Sequence, residues 1–280
     1  MRMGPLLRAL LTLALAAGVV TLIGYRNARA DPVVRRMAVR LPGWPAGAPP
    51  MRMALLSDIH LGSPATDETR LARVVAQVNA ARPDLVLIAG DFVAGHDKAK
   101  GAGYADRLAA PLAGFRARYG VVAVLGNHDW WTAPDRVKRA LARAGVTVIA
   151  NQAVVRGAVA IIGIDDGFIG RADVPVSLAA AAALPGARVI LTHTPSTTKA
   201  VPAGAAALLL AGHTHCGQAV LPLIGSIAER LHGAWLYDPR YRCGAVRDAG
   251  RLVVVTGGIG SSLPLRYGAP PDWWLLTLGP

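Results

Sequence analysis

Short apolar runs alternate with helical patterns through the middle of the chain, which predicts an α/β core with buried strands. The predicted order is strand Met51–Leu56, helix Asp67–Ala81, strand Leu85–Ala89, helix Tyr104–Tyr119 interrupted near Pro111, strand Val121–Leu125 and helix Pro134–Ala144.

The pattern changes after Val146, where short apolar segments follow one another with little helix between them. One alanine-rich helix is predicted at Val176–Ala183. The predicted strands of this half are Val146–Ile149, Ala153–Arg156, Ala158–Ile164, Arg188–Leu191, Ala206–Leu210, Trp235–Tyr237, Tyr241–Val246, Leu252–Val255 and Trp273–Leu278.

An uncharged stretch of sixteen residues, Ala9–Gly24, lies near the N-terminus. Its length falls between a signal-peptide core of up to about 15 residues and a membrane span of about 20. Ala28-Arg29-Ala30 matches a small-x-small cleavage site, so a cleaved signal stays open, but we favour an uncleaved anchor. The predicted division is an anchor or signal segment at 1–30, a juxtamembrane linker at 31–50 and a globular domain at 51–280.

Five arginines follow the apolar stretch, against Arg2 and Arg8 before it. The positive-inside rule then favours the cytoplasm for the domain, whereas an export signal would carry it outside. Cys216 and Cys243 match no zinc spacing and no disulfide framework, so they do not identify the compartment. A disulfide between them stays open.

The chain carries 30 Lys+Arg against 17 Asp+Glu, a formal net charge of +13. This balance favours anionic partners such as phosphate esters, acidic lipid headgroups or nucleic acid, although an Arg-rich proteome would also produce it. The arginines are scattered rather than clustered, which disfavours a nucleic-acid partner. The sequence does not indicate an oligomeric state.

Polar clusters stand at the carboxyl ends of five predicted strands, where ligands gather in α/β sheets. They are Asp58-x-His60, Gly90-Asp91, Gly126-Asn127-His128-Asp129, His193 and Gly212-His213-Thr214-His215. Each alone is an ordinary strand-end turn. Together they hold five of the seven histidines, which predicts one common site.

Seven candidate metal ligands come from these clusters: Asp58, Asp91, His60, His193, His213, His215 and Asn127. A tetrahedral zinc takes four ligands, so seven are too many for one ion. They suit two divalent metals that share a carboxylate, the arrangement that hydrolyses phosphate esters. Mixed nitrogen and oxygen ligation suits Mn, Fe, Zn or Mg and does not choose among them.

The five motifs, in this order, resemble the calcineurin-like metallophosphoesterase superfamily over about residues 51 to 280. The resemblance implies a four-layer α/β/β/α sandwich with the dimetal site at the strand ends. It implies that the first metal is bound by Asp58, His60 and His215, that Asp91 bridges, and that the second metal is bound by Asn127, His193 and His213. It also implies that His128 is catalytic, by stabilising the transition state or by protonating the leaving oxygen.

The apolar N-terminus, the segment Leu56–Gly62, Gly217-Gln218 and the tail Gly258–Pro271 resemble the bacterial membrane-anchored branch of that superfamily. Some members of the branch are similar to UDP-2,3-diacylglucosamine hydrolases. The resemblance implies cleavage of phosphodiester or pyrophosphate bonds by a hydroxide that bridges the metals, at the bacterial inner membrane.

Two positions depart from the family pattern. Ala94 stands where protein phosphatases carry the Asp that steadies the catalytic histidine, which argues against a protein phosphatase. What orients His128 is thereby left open, with Asp129 as one candidate. Cys216 stands where the branch more often has Gly.

Three functions remain: a membrane phosphoesterase acting on a lipid-linked or nucleotide-containing substrate, a nuclease of the same superfamily, and an inactive metal-binding scaffold. All seven ligands are present, which disfavours the scaffold. The apolar loop Val220–Ile227 either inserts into the membrane interface or packs against the rest of the domain.

Specificity is expected from loops Gly167–Val174 and Gly217–Arg242. Three arginines are either clamps for a second phosphate or, as we favour, solvated surface residues: Arg171, Arg240 and Arg266.

Overall fold

Fourteen strands and eight helices make up the regular structure of residues 4–280, the part of the chain that the computed structural model describes. The strands are β1 Val33–Arg40, β2 Met51–Leu56, β3 Leu85–Ala89, β4 Val121–Val124, β5 Val146–Val148, β6 Gln152–Arg156, β7 Val159–Gly163, β8 Ala187–Leu191, β9 Leu208–Ala211, β10 Val220–Leu221, β11 Gly225–Ser226, β12 Gly244–Asp248, β13 Arg251–Val255 and β14 Asp272–Gly279. The helices are α1 Pro5–Arg29, α2 Glu68–Ala80, α3 Lys98–Asp106, α4 Ala109–Leu112, α5 Asn127–Thr132, α6 Pro134–Arg143, α7 Val174–Ala180 and α8 Ile227–His232.

Two six-stranded sheets pack face to face. The first has the order β1-β14-β2-β3-β4-β5 and the second β12-β13-β9-β8-β7-β6, while β10 and β11 form a separate hairpin. The buried side chains between the sheets come from both of them, such as Leu55 and Leu87 facing Val189 and Leu210. Because each central strand is covered on both faces, its sequence is apolar throughout rather than alternating.

Helices cover the outer face of each sheet. Leu71 and Val74 of α2 and Val137 of α6 pack on the first sheet, and Val174 at the start of α7 belongs to the core outside the second sheet. The molecule therefore has the predicted α/β/β/α layers, with the helix-rich half of the chain forming one side and the strand-rich half the other.

The segment 31–50 is not simply a linker, which corrects the sequence prediction. Its residues Val33–Arg40 form the edge strand β1, which runs parallel to β14. More buried and exposed residues alternate at the end of this strand, from Met37 to Arg40, and its arginines lie on or near the surface. The local sequence could not reveal the pairing because the partner strand lies more than 230 residues away along the chain.

Two other predictions fail locally. The predicted helix Tyr104–Tyr119 is replaced by α3 and α4, because Asp97 caps α3 through Lys100 N and starts it earlier than the apolar pattern suggested. The predicted strand Trp235–Tyr237 is absent, and Gly233–Trp235 forms a 3₁₀ turn instead.

The apolar N-terminal stretch lies in one long helix, α1. It is long and apolar enough to cross a membrane by length and composition, with a mean hydropathy of 2.2 over its best 18 residues, and that window is not buried against the domain. A signal sequence would meet the same criteria.

Candidate metal centre

The loops that follow five strands of the two sheets converge at one edge of the molecule. Strands β2, β3 and β4 are parallel to one another, as are β8 and β9, so the carboxyl ends meet. A hydrogen bond from His213 N to Asp58 Oδ2, 3.0 Å long, joins the ends of the two sheets. The structure thus brings together the predicted residues Asp58, His60, Asp91, Asn127, His128, His193, His213 and His215.

A first cluster consists of Asp58, His60 and His215, whose donor atoms are close enough to hold one metal ion. Asp58 Oδ1 lies 3.8 Å from His60 Nε2 and 3.6 Å from His215 Nε2. On the outer side, His60 Nδ1 lies 3.2 Å from the Ser262 hydroxyl and His215 Nδ1 lies 3.1 Å from the Arg266 guanidinium. These outer contacts fix the ring orientations, as supporting residues do around metal sites.

A second cluster surrounds His193. Its Nε2 lies 3.1 Å from Asn127 Oδ1 and 3.2 Å from His213 Nδ1. The outer nitrogens of the two rings donate to backbone carbonyls, His193 Nδ1 to Ala89 at 2.6 Å and His213 Nε2 to Leu236 at 3.1 Å. In the neutral form of each ring the inner nitrogen then carries the lone pair, which is the form a metal ligand requires.

Asp91 lies between the clusters. Its Oδ2 is 3.5 Å from His60 Nε2 and 3.4 Å from His193 Nε2, while its Oδ1 accepts a hydrogen bond from His128 N at 2.9 Å. One carboxylate oxygen thus faces imidazoles that belong to different sheets. The two histidines of the HxH motif, His213 and His215, fall into different clusters.

The donor set fits a pair of divalent cations. Among residues 4–280, Asp58 Oδ1 and His60 Nε2 are buried without a hydrogen-bond partner. A buried polar atom left unpaired costs about 1–3 kcal/mol. The two atoms face the same space, and a cation bound between them would satisfy both. Oxygen and nitrogen donors suit Mn, Fe, Zn or Mg.

Burial keeps three of the imidazoles neutral. It lowers the pKa of His60 and of His213 to about 3, and it lowers the pKa of His215 well below the usual value. Neutral imidazole is the form that binds metals.

The two carboxylates of the site differ from each other in the direction of their pKa shifts. Burial raises the pKa of Asp58 to about 6. Burial also opposes ionisation of Asp91 and His193, but their mutual attraction holds the pKa of Asp91 well below its usual value and that of His193 well above. The site therefore favours positive charge next to Asp91.

The backbone at the site is strained. Five predicted ligands have left-handed φ values between 47° and 68°: Asp58, His60, Asp91, His213 and His215. Each such residue costs about 1–3 kcal/mol and is typical of functional sites. Gly212 allows the close approach of the sheets, because a Cβ there would overlap the Ser57 hydroxyl.

His128 stands at the mouth of the site, where its ring nitrogen also lies close to the donor atoms of His60 and Asp91. Its Nδ1 lies 2.8 Å from the Gly95 carbonyl, its ring is 4.8 Å from the His60 ring, and the His96 ring stacks on it at 4.9 Å. The predicted orienting residue, Asp129, instead accepts hydrogen bonds from Phe92, Val93 and Gly126 N–H groups. The backbone carbonyl of Gly95 therefore orients His128, and Asp129 shapes the turn.

A cavity of about 260 Å³ opens beside His128 and Asp91. Its rim contains three aromatic residues that sequence reasoning did not single out: Trp131, Phe168 and Trp235. Phe168 and Trp235 lie in the two loops from which specificity is expected.

A disulfide joins Cys216 and Cys243, with the Cα atoms 4.6 Å apart. It ties the turn directly after His215 to the loop that carries Leu236. The bond therefore holds together two segments that lie over the metal centre. The sequence left this pairing open.

The three candidate arginines differ in their surroundings. Arg171 pairs with Asp165 and stacks on Trp130, and Arg240 pairs with Asp238, both partly exposed. Arg266 is fully buried, so the surface interpretation is wrong for this residue.

The family model described as "Calcineurin-like phosphoesterase" matches residues 51–217. Phosphodiesterase YaeI of Escherichia coli (strain K12) is 30% identical over 246 residues, covering 85% of this chain and 86% of its own length. A transmembrane protein with metallophosphoesterase domain of Danio rerio is 30% identical over 285 residues, or 94% of this chain and 61% of that protein. The crystal structure of TT1561 of Thermus thermophilus superimposes with a TM-score of 0.45 at 12% identity, covering 75% of this chain and 91% of TT1561.

Proposed function

The chain belongs to the calcineurin-like phosphoesterase family, and we propose that it cleaves phosphodiester or pyrophosphate bonds with two divalent metal ions. The observation that carries the proposal is the position of Asp91 Oδ2, 3.5 Å from His60 Nε2 and 3.4 Å from His193 Nε2. A single carboxylate oxygen shared by two donor clusters is what a dinuclear hydrolase requires.

Each residue has a defined task in this proposal. Asp58, His60 and His215 would hold one ion, Asn127, His193 and His213 would hold the other, and Asp91 would be shared. The ions supply an activated water and neutralise the phosphoryl oxygens. His128, oriented by the Gly95 carbonyl, donates to a phosphoryl or leaving oxygen at the cavity mouth.

The proposed setting is the bacterial inner membrane, with α1 as a single span. The apolar composition of α1 supports the span, and the relative named a transmembrane protein is consistent with it. The arginines after α1 favour a cytoplasmic domain, whereas the disulfide favours an oxidising compartment. We give the disulfide more weight, since folded domains translocate largely regardless of their charge.

The test is hydrolysis of bis-p-nitrophenyl phosphate by the purified full chain with Mn²⁺. We expect Asp91→Ala to lose at least about 100-fold in rate, because both clusters lose their shared oxygen. Asp135→Ala, a matched change at an exposed position, should retain the activity. Equal rates for Asp91→Ala and wild type, or an inactive wild type with each of Mn²⁺, Fe²⁺, Zn²⁺ and Mg²⁺, would contradict the proposal.

A panel of phosphoesters tests which substrate class the protein prefers. Detergent-solubilised protein would be offered UDP-diacylglucosamine, cyclic nucleotides, phospholipids and single-stranded DNA. Preferential cleavage of a lipid or nucleotide ester is the expected result, and preferential cleavage of DNA would favour the nuclease.

A further inference from the structure

The last turns of α1 are docked on the domain. The Arg266 backbone N–H donates to the Gly24 carbonyl at 3.0 Å, and the Tyr267 hydroxyl donates to the Val20 carbonyl at 2.7 Å. Leu263, Pro264 and Leu265 line an apolar groove of about 530 Å³ against the helix, which reaches up to Gly18. The domain therefore extends alongside α1 for about half of its length.

This contact determines how deep the domain sits. The uncharged stretch of the helix, Ala9–Gly24, has sixteen residues. At 1.5 Å per residue it spans about 24 Å, whereas the hydrocarbon layer is about 30 Å thick, so a span needs the whole stretch. If α1 crosses the bilayer, Gly18 and the residues after it must lie inside the bilayer as well. The segment Leu263–Leu265 then lies inside with them.

The surface next to Leu263–Leu265 is also suited to contact with the bilayer. The hairpin of β10 and β11 is joined to this segment, because Val220 N–H donates to the Tyr267 carbonyl at 2.8 Å. At its tip Leu223 is fully exposed and Ile224 is 45% exposed, and Leu263 is 59% exposed. Exposed apolar side chains next to an apolar helix are typical of a membrane-contacting surface.

The same segments touch the metal centre. Ser262, directly before Leu263, contacts His60, and Arg266 contacts His215. Gln218, three residues after His215, donates to the Leu263 carbonyl at 2.7 Å. The metal centre is therefore within one or two residues of the apolar surface.

We propose that Leu223, Ile224 and Leu263–Leu265 form a membrane-inserted rim beside α1, and that the substrate is an amphiphile whose phosphoester lies in the headgroup layer of the same bilayer. The substrate part of this proposal rests on the proposed phosphoesterase function, whereas the rim does not. The exposed Arg26 at the end of α1 and a net charge of +13 suit anionic headgroups.

The depth of the rim is measured directly. Leu223→Cys and Leu263→Cys are each labelled with bimane in the full chain, whose native cysteines are held in the disulfide. The protein is reconstituted in vesicles of phosphatidylglycerol and phosphatidylcholine that carry nitroxide on the acyl chains. We expect strong quenching at both positions.

Val176→Cys is the matched control. Val176 is also an exposed apolar residue, 51% exposed, but it lies on α7, which packs on the strands at the far edge of the second sheet. Quenching at Leu223 and Leu263 that is no stronger than at Val176 would overturn the rim, as would a dimer in which a second copy shields both labels.

The substrate class is tested with two esters of the same chemistry, hexadecyl p-nitrophenyl phosphate in the vesicles and ethyl p-nitrophenyl phosphate in solution. At equal bulk concentration we expect the long-chain ester to be cleaved at least about tenfold faster, because enzyme and substrate share one surface. The double variant Leu223→Asp/Ile224→Asp should remove most of this ratio, and Val176→Asp should preserve it.

The outcomes separate the two proposals. Cleavage of neither ester contradicts the phosphoesterase function and leaves the quenching result standing. Equal cleavage of both esters contradicts the lipid substrate while the phosphoesterase function stands.

Discussion

Individual residues at this site are controlled by backbone groups as much as by side chains. The Gly95 carbonyl orients His128, and the Ala89 and Leu236 carbonyls orient His193 and His213. A carbonyl leaves no trace in the amino-acid type, so the sequence predicts the imidazoles but not what holds them. The two roles open to His128, protonating the leaving oxygen or stabilising phosphoryl charge, make different predictions.

The His128→Gln variant should still bind metal, because all seven candidate ligands remain, and its kcat should fall by about 10²–10⁴-fold. If His128 protonates the leaving oxygen, the loss is larger for a methyl ester than for p-nitrophenyl phosphate diesters, whose leaving group needs no proton. Equal losses indicate charge stabilisation. Metal content by mass spectrometry and kcat for both esters are the measurements, with His232→Gln as the exposed control. A variant with unchanged kcat for both esters would remove His128 from the mechanism.

Metal binding should depend on pH through two groups. The raised pKa of Asp58, about 6, means that its carboxyl is protonated below that pH in the metal-free protein, and the raised pKa of His193 means that its imidazole carries a proton as well. A cation must displace these protons. His60 and His213, whose pKa values are lowered to about 3, are already neutral near pH 6, so a cation displaces no proton from them.

The apparent affinity for Mn²⁺ should therefore fall as the pH falls, and more steeply below about pH 6, where Asp58 also releases a proton. Calorimetric titrations from about pH 5.5 to about pH 7.5, in buffers of different ionisation enthalpy, give both the affinity and the number of protons released. An affinity that stays constant over this range contradicts the assignment of Asp58 and His193 as ligands.

At the scale of elements, predictions succeeded where the information is local and failed where it is not. Strands such as β2 and β3 are continuous apolar runs, and their ends carry the motif residues, so both strand and site could be located. Strand β1 depends on β14, at the other end of the chain, so the sequence placed its residues in a linker. Helix α3 is started by the Asp97 cap, although its own residues have little apolar periodicity.

The site itself was also predicted only in part. The seven candidate ligands stand in short motifs, whereas Ser262 and Arg266 approach His60 and His215 from a segment some 50 to 200 residues away in the sequence. Arg266 looks like any other arginine in a basic chain. Only its burial against the Gly257 and Gly260 carbonyls shows that it supports the site.

The whole molecule joins an apolar helix, a metal centre and a disulfide within one short region. The disulfide between Cys216 and Cys243 closes the loop beside the last candidate ligand, and disulfides persist in oxidising compartments. The five arginines after α1 favour the opposite side. Two of the five form ion pairs within the folded domain, Arg29 with Asp67 and Arg35 with Asp272. A structural role therefore accounts for part of the excess of arginines after α1.

We therefore expect the domain to face the oxidising side of the membrane. Strand β14 reaches Gly279, one residue before the end of the chain, so a reporter can follow Pro280 without entering the core. A C-terminal alkaline phosphatase, which is active only where its own disulfides form, should be active in cells, and a green fluorescent protein fusion should stay dark. Thiol trapping should leave Cys216 and Cys243 unlabelled until a reductant is added. A bright fluorescent fusion with two freely labelled thiols would instead locate the domain in the cytoplasm, because the disulfide would not then exist in cells.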